Sequence, residues 1–158
     1  MRVRILAVGR LKEDYLRAAA ADYAARLRPY LQLEVVELPD LPDPPHVSPA
    51  AVARVQEEEG AAILRRMEAD ETLVALDARG RMMSSGELAE FIRPCFARGD
   101  RLCFAIGGSH GLGRAVIERA DLVLSLSPLT FPHGLARLIL LEQLYRAVKI
   151  LRGEKYHK

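Results

Sequence analysis

Five short apolar runs, each followed by a helix-like stretch, constrain this chain more than any other feature of it. The runs are Val3–Val8, Leu33–Leu38, Thr72–Leu76, Leu102–Ile106 and Leu122–Leu126. Most lack the polar–apolar alternation of a half-wet sheet, so both faces of the sheet they form need cover. Between them lie segments of helical character. Tyr15, Leu16, Ala19, Tyr23 and Leu27 make one face of Glu13–Leu27. Ser48 and Pro49 suit the start of a helix over Pro49–Ala69. Ser84 or Ser85 caps Ser85–Arg98, with Glu87 and Glu90 in its first turns. Arg114–Arg119 is a short helix and Pro132–Arg152 a long one. Strand-then-helix order repeated in this way predicts an α/β fold, with a mainly parallel sheet and helices on both faces.

Composition adds bounds rather than detail. A chain of 158 residues, half of them hydrophobic, fills one domain with a proper core, and no repeat or composition break marks a second. A net charge of +2 offers no overall attraction to nucleic acid. Locally, six Lys or Arg stand against two acids from Leu126 onward, which reads either as a solvated face or as a surface for an anionic partner. Glu57, Glu58 and Glu59 read as a solvated helix face. Cys95 and Cys103 lack the pattern of a disulfide framework or zinc site, so no metal is expected and both read as small buried hydrophobes. The opening apolar run is too short for a signal peptide, and no stretch of eighteen apolar residues spans a membrane. A cytoplasmic protein is the expectation.

In parallel sheets ligands bind outside the carboxyl ends of the strands, so the segments after Leu76, Ile106 and Leu126 are the places to look. After Ile106 the chain reads Gly107-Gly108-Ser109-His110-Gly111-Leu112-Gly113. Paired glycines let backbone approach a ligand, yet this is neither a dinucleotide fingerprint nor a P-loop, and a sharp turn without ligand fits too. His110 reads as a loop histidine. The segment Ser125–Gly134 carries two prolines, while Leu126, Leu129 and Phe131 could wall an apolar slot. It reads either as an adenine slot edged by backbone groups or as a loop that closes the core.

The final helix is apolar on every side of one turn, at Leu138, Ile139, Leu140 and Leu141. A helix resting on a sheet needs one apolar stripe, so a second copy of the chain is expected to cover the outer side as a symmetric homodimer. Glu142 and Arg146 are spaced to pair. The tail Tyr156-His157-Lys158 reads from composition as a frayed end, although an aromatic, an imidazole and a cation could also stack on a base and hold a phosphate.

Taken together, FAIGGSHGLG (Phe104 to Gly113), LSLSPLTFPH, EQLYRA and the terminal YHK resemble the RlmH family of SPOUT methyltransferases. The family carries F-x-I-G-G-x-x-G, L-S-x-S-x-x-T-x-P-H, E-Q-x-Y-R-A and a terminal Y-H, and the likeness extends to ILAVGRLK near the N-terminus. The resemblance implies a homodimer with a C-terminal trefoil knot that uses S-adenosylmethionine. It implies methylation of N3 of a pseudouridine in 23S ribosomal RNA, in the helix 69 hairpin, on the assembled ribosome. By motif, the cofactor site comprises Leu76, Gly107 or Gly108, and Leu126, Ser127, Pro128, Leu129, Thr130 and Phe131. From the chemistry of such a transfer, His157 is the first candidate for proton acceptance, with Tyr156 stacking on or orienting the base, and Arg137, Arg146 and Lys158 are candidates for RNA phosphate or anion stabilisation. Without a separate RNA-binding module, activity on naked RNA is expected to be poor.

Overall fold

The computed structural model describes residues 1–156. Elements run in strand-then-helix order: β1 (Arg2–Val8), α1 (Asp14–Leu27), β2 (Gln32–Leu38), α2 (Pro49–Arg66), β3 (Thr72–Met82), α3 (Ser85–Arg98), β4 (Arg101–Ile106), α4 (Arg114–Arg119), β5 (Leu122–Ser125) and α5 (His133–Leu151). The five strands pair in parallel throughout, in the order β2-β1-β4-β3-β5.

The apolar runs do not alternate because the sheet is buried twice. Val3, Ile5 and Ala7 of β1 face one cluster with Leu16 and Leu27 of α1, Leu88 and Ile92 of α3, and Leu140, Leu144 and Val148 of α5. Leu6 and Val8 face a second cluster with Ile63 of α2 and Val116 of α4. Successive side chains thus point to opposite faces, and both faces are dry. Each fully buried Leu or Ile contributes about 1.5–3 kcal/mol by leaving water. Cys95 and Cys103 are buried free thiols within this packing, and burial pushes the Cys103 thiol up to about 12.

Several boundaries differ from the sequence expectation, each for a local reason. The helix expected to reach Ala69 ends at Arg66, because the acids that follow are drawn to the arginines at the amino ends of the strands. Glu71, with no exposed side chain, pairs with buried Arg4 at 3.1 Å and accepts from the Glu68 amide at 2.8 Å. Ser84, not Ser85, caps α3, through a capping box with Glu87. Glu59 is buried rather than part of a solvated face, while Glu57 and Glu58 are exposed. The strand expected to stop at Leu76 continues to Met82. Leu76 and Arg81 both register with Leu124 of β5, so residues 77–80 bulge out and the strand rejoins its neighbour. Gly80 permits this: a Cβ there would lie 2.6 Å from the Val123 carbonyl oxygen. The polar DARGR pattern carried no apolar signal for a strand.

Helix α5 packs between α1 and α3 on one face of the sheet. Leu140, Leu141, Leu144, Ala147 and Val148 are buried, whereas Leu138 and Ile139 are half-buried and Leu135 is 37% exposed. Its outer side therefore keeps an apolar strip within the single chain. No helix of the described residues is long and apolar enough to cross a membrane.

Candidate active site

A cleft of about 540 Å³ opens beside the β3 bulge and the carboxyl ends of β4 and β5. Parallel pairing puts the bulge and these two ends on one side of the sheet, and the bulge and the loops after β4 and β5 form the walls. Leu76, Gly107, Gly108, Leu126, Ser127, Leu129, Thr130 and Phe131 all line it. Of the expected cofactor residues only Pro128 does not; it shapes the loop between its neighbours. Segments from three separate parts of the chain thus meet in one place.

The glycine wall is a tight double-backed loop. Gly108 and Gly111 pair as an antiparallel bridge, with the Gly111 amide donating to the Gly108 carbonyl at 3.0 Å. Gly107 has no room for a side chain, since a Cβ would stand 2.5 Å from the Gly111 carbonyl carbon. The loop is pinned from outside. Gln56 Nε2 donates to the His110 carbonyl at 2.6 Å, and His110 Nε2 sits 2.7 Å from an Asp43 carboxylate oxygen. The proline-rich loop after β2 therefore braces the cleft, and His110 serves that brace. Glu59 lies under Gly108, accepting from the Leu41 amide at 3.1 Å, and burial raises its pKa.

The opposite wall is held by serines. Ser125 Oγ donates to the Ser127 carbonyl, and Ser127 Oγ accepts from the Leu129 amide, both at 3.0 Å. This turn leaves Leu129 71% exposed at the rim. An exposed large apolar side chain beside a cleft is suited to covering a flat ligand ring. The walls therefore combine an apolar slot with unencumbered backbone.

Three further residues were not singled out from sequence. Asp77 and Arg79 line the cleft from the β3 bulge, Asp77 directly following Leu76. The position next to Leu76 is the one signal that could have marked it. His133 opens α5 with its ring packed on Gly9, where a Cβ would lie 2.9 Å from His133 Cε1, and its buried Nδ1 has no partner among the described residues.

Of the residues expected to do chemistry, Arg137, Arg146 and Tyr156 lie outside the cleft lining. Arg137 is only 2% exposed: it pairs with Glu37 at 2.6 Å and donates to the Gly9 carbonyl at 2.9 Å. Instead of reaching for phosphate, it ties the β1–α1 connection to β2 and α5. Arg146 pairs with Glu142 at 2.5 Å, as its spacing suggested. Tyr156 is docked rather than frayed. Its ring stacks edge-on to Tyr145 at 4.8 Å, lies under the Arg146 guanidinium, and its hydroxyl donates to Glu142. Hydrogen bonding with Tyr23, then burial, raises the Tyr156 phenol pKa. His157 and Lys158 lie outside the described residues.

The same architecture recurs in a solved structure from Haemophilus influenzae, a "probable methylase family protein", with a TM-score of 0.53 at 18% identity over 99% of this chain and 70% of that one. The model of the family described as "Predicted SPOUT methyltransferase" matches residues 1–157. The chain belongs to the SPOUT methyltransferases, in the RlmH family. It is 48% identical to "Ribosomal RNA large subunit methyltransferase H" of Carboxydothermus hydrogenoformans, and 50% identical to the protein so named in Symbiobacterium thermophilum. Both likenesses cover the whole of each chain. Within this RlmH-family fold the cleft occupies the segments that carry the family's glycine and serine–proline motifs.

Proposed function

We propose that this RlmH-family chain methylates N3 of a pseudouridine in the helix 69 hairpin of 23S ribosomal RNA. In this reading it uses S-adenosylmethionine and works in the cytoplasm, as a homodimer, on the assembled ribosome. The observation that carries the reading is the convergence of eight motif residues on one cleft, in a chain whose full-length relatives are named as large-subunit rRNA methyltransferases.

S-adenosylmethionine supplies a methyl already activated on a sulfonium, so the protein's main task is placement and exclusion of water. Leu76, Leu126, Leu129 and Phe131 would enclose the adenine, while Gly107 and Gly108 let backbone come close. As the new C–N bond forms and the methyl–sulfur bond breaks, the N3 proton has to leave. His157 is the proposed acceptor, with Tyr156 orienting the base. Arg137 acts by positioning, fixing Gly9 against His133 at the cleft edge.

The docking of Tyr156 supports a two-chain site. Tyr145, on which it rests, is twelve residues along α5 from His133, about 18 Å at the helical rise. A Tyr156 docked there lies far from its own cleft, so the proposed arrangement has one copy's Tyr156 completing the other's site. The half-exposed strip of Leu135, Leu138 and Ile139 supports a contact between copies.

Mass spectrometry of 23S rRNA from cells with and without the gene tests the assignment. Loss of one methyl at a helix 69 pseudouridine is the expected result. An unchanged modification pattern overturns it. Purified enzyme should methylate ribosomes and act poorly on protein-free rRNA.

A further inference from the structure

Among the described residues that line the cleft, Asp77 is the one carboxylate. Its side chain is 12% exposed, and Arg79 engages both of its oxygens. Arg79 Nε and Nη2 each donate to it at 3.0 Å, and the Arg79 amide donates at 2.8 Å. Hydrogen bonding from Arg79 keeps the carboxyl below its ordinary pKa, so it is ionised at neutral pH. Arg79, by contrast, stands 82% exposed, and its guanidinium has no second hydrogen-bond or ion-pair partner among the described residues. An ion pair whose cation is solvated and flexible is weak, because water screens it and a long side chain must be fixed in one rotamer. A competing cation that enters the cleft and is less hydrated there can displace such an arginine.

We infer that Asp77 is the counter-ion for the positively charged part of the cofactor, and that Arg79 is its exchangeable partner in the free enzyme. This rests on the reading of the cleft as an S-adenosylmethionine site. That cofactor carries an ammonium and a sulfonium against one carboxylate, whereas its adenine and ribose are neutral. The apolar slot accounts for the neutral part; the cleft otherwise offers the cations no fixed negative charge among its described residues. Placing the acid directly after Leu76, a wall of the slot, puts the charge next to the ring site. Exchange also releases a guanidinium at the cleft rim when cofactor is bound, where an RNA phosphate could take it up.

Calorimetric titration with three ligands tests the inference: S-adenosylmethionine, S-adenosylhomocysteine, and 5′-methylthioadenosine, which keeps the adenosine and lacks every charge of the amino acid. For Asp77→Asn, affinity for S-adenosylmethionine should fall tenfold or more while methylthioadenosine changes less than twofold. An equal fall for S-adenosylhomocysteine assigns the contact to the ammonium, and a smaller one to the sulfonium; both support the inference. Equal losses for all three ligands, or none, overturn it. Thermal unfolding of the variant guards against misfolding, and the wild type gives a second readout. Its affinity for S-adenosylmethionine should weaken with added salt while that for methylthioadenosine does not; parallel salt responses count against the counter-ion role. If the wild-type protein binds none of the three, the cofactor reading itself fails and takes the inference with it.

Discussion

Replacing Gly107 by alanine tests the cleft with one methyl group. A Cβ there would stand 2.5 Å from the Gly111 carbonyl carbon, 2.7 Å from its oxygen and 2.8 Å from the Leu112 nitrogen. Ordinary contacts begin near 3.4 Å, so the overlap is about 0.9 Å, and every obstructing atom is backbone. No side chain can swing away; the end of β4 or the loop to Leu112 must move. Overpacking of this kind costs about 1–3 kcal/mol, which for a chain of this length lowers the melting temperature by roughly 2–12 °C. Because the displaced loop is the cleft wall, S-adenosylmethionine binding should fall as well. Gly99→Ala is the matched control. It sits at φ +77° at the end of α3 with nothing within 4 Å of a new Cβ, so it carries backbone strain of about 1–2 kcal/mol without touching the cleft. Thermal unfolding and calorimetric titration on both variants separate the effects. Gly107→Ala should lose stability and binding, Gly99→Ala stability alone. Wild-type melting and binding in Gly107→Ala, or equal loss of binding in both, would refute the reasoning.

Two further outcomes are expected. Burial raises the Glu59 pKa above the ordinary value of 4.5, so the native state favours its protonated form, and the group's contribution to stability is lost as pH rises through the folded value. Glu59→Gln should therefore be at least as stable as wild type at pH 7, with the difference shrinking as pH falls toward 4.5. Melting curves across pH 4.5–8 check this, and a variant clearly less stable at pH 7 contradicts it. Leu135→Arg places a charge on the exposed strip of α5 and should shift sedimentation from twice the 17.6 kDa chain mass toward a single chain, with little change in monomer folding. A monomeric wild type, or an unaffected variant dimer, removes this face as the contact between copies.

The sequence by itself determined the layers and the location of the cleft. Val3–Val8 and Leu102–Ile106 are apolar without alternation because both sheet faces are covered, and that pattern is local enough to read residue by residue. Parallel order then runs every strand toward the same side, so the bulge after Leu76 and the loops after Ile106 and Ser125 meet whatever their side chains. Glu142 and Arg146 are one helical turn apart, which also makes their pairing legible. Only the tertiary structure decided what depends on distant partners. Arg137 reads as a free cation until Glu37 and Gly9 close on it across the sheet, and Glu59 looks like a third solvated acid until the proline-rich loop covers it. Tyr156 finds its place through Tyr145 and Glu142. Asp77 and Arg79 lie in a bulge set by the register with β5, where no hydrophobic period survives to announce a strand. Burial and charge pairing are properties of surfaces brought together by the fold, and a one-dimensional pattern carries them only when its own periodicity makes the contact.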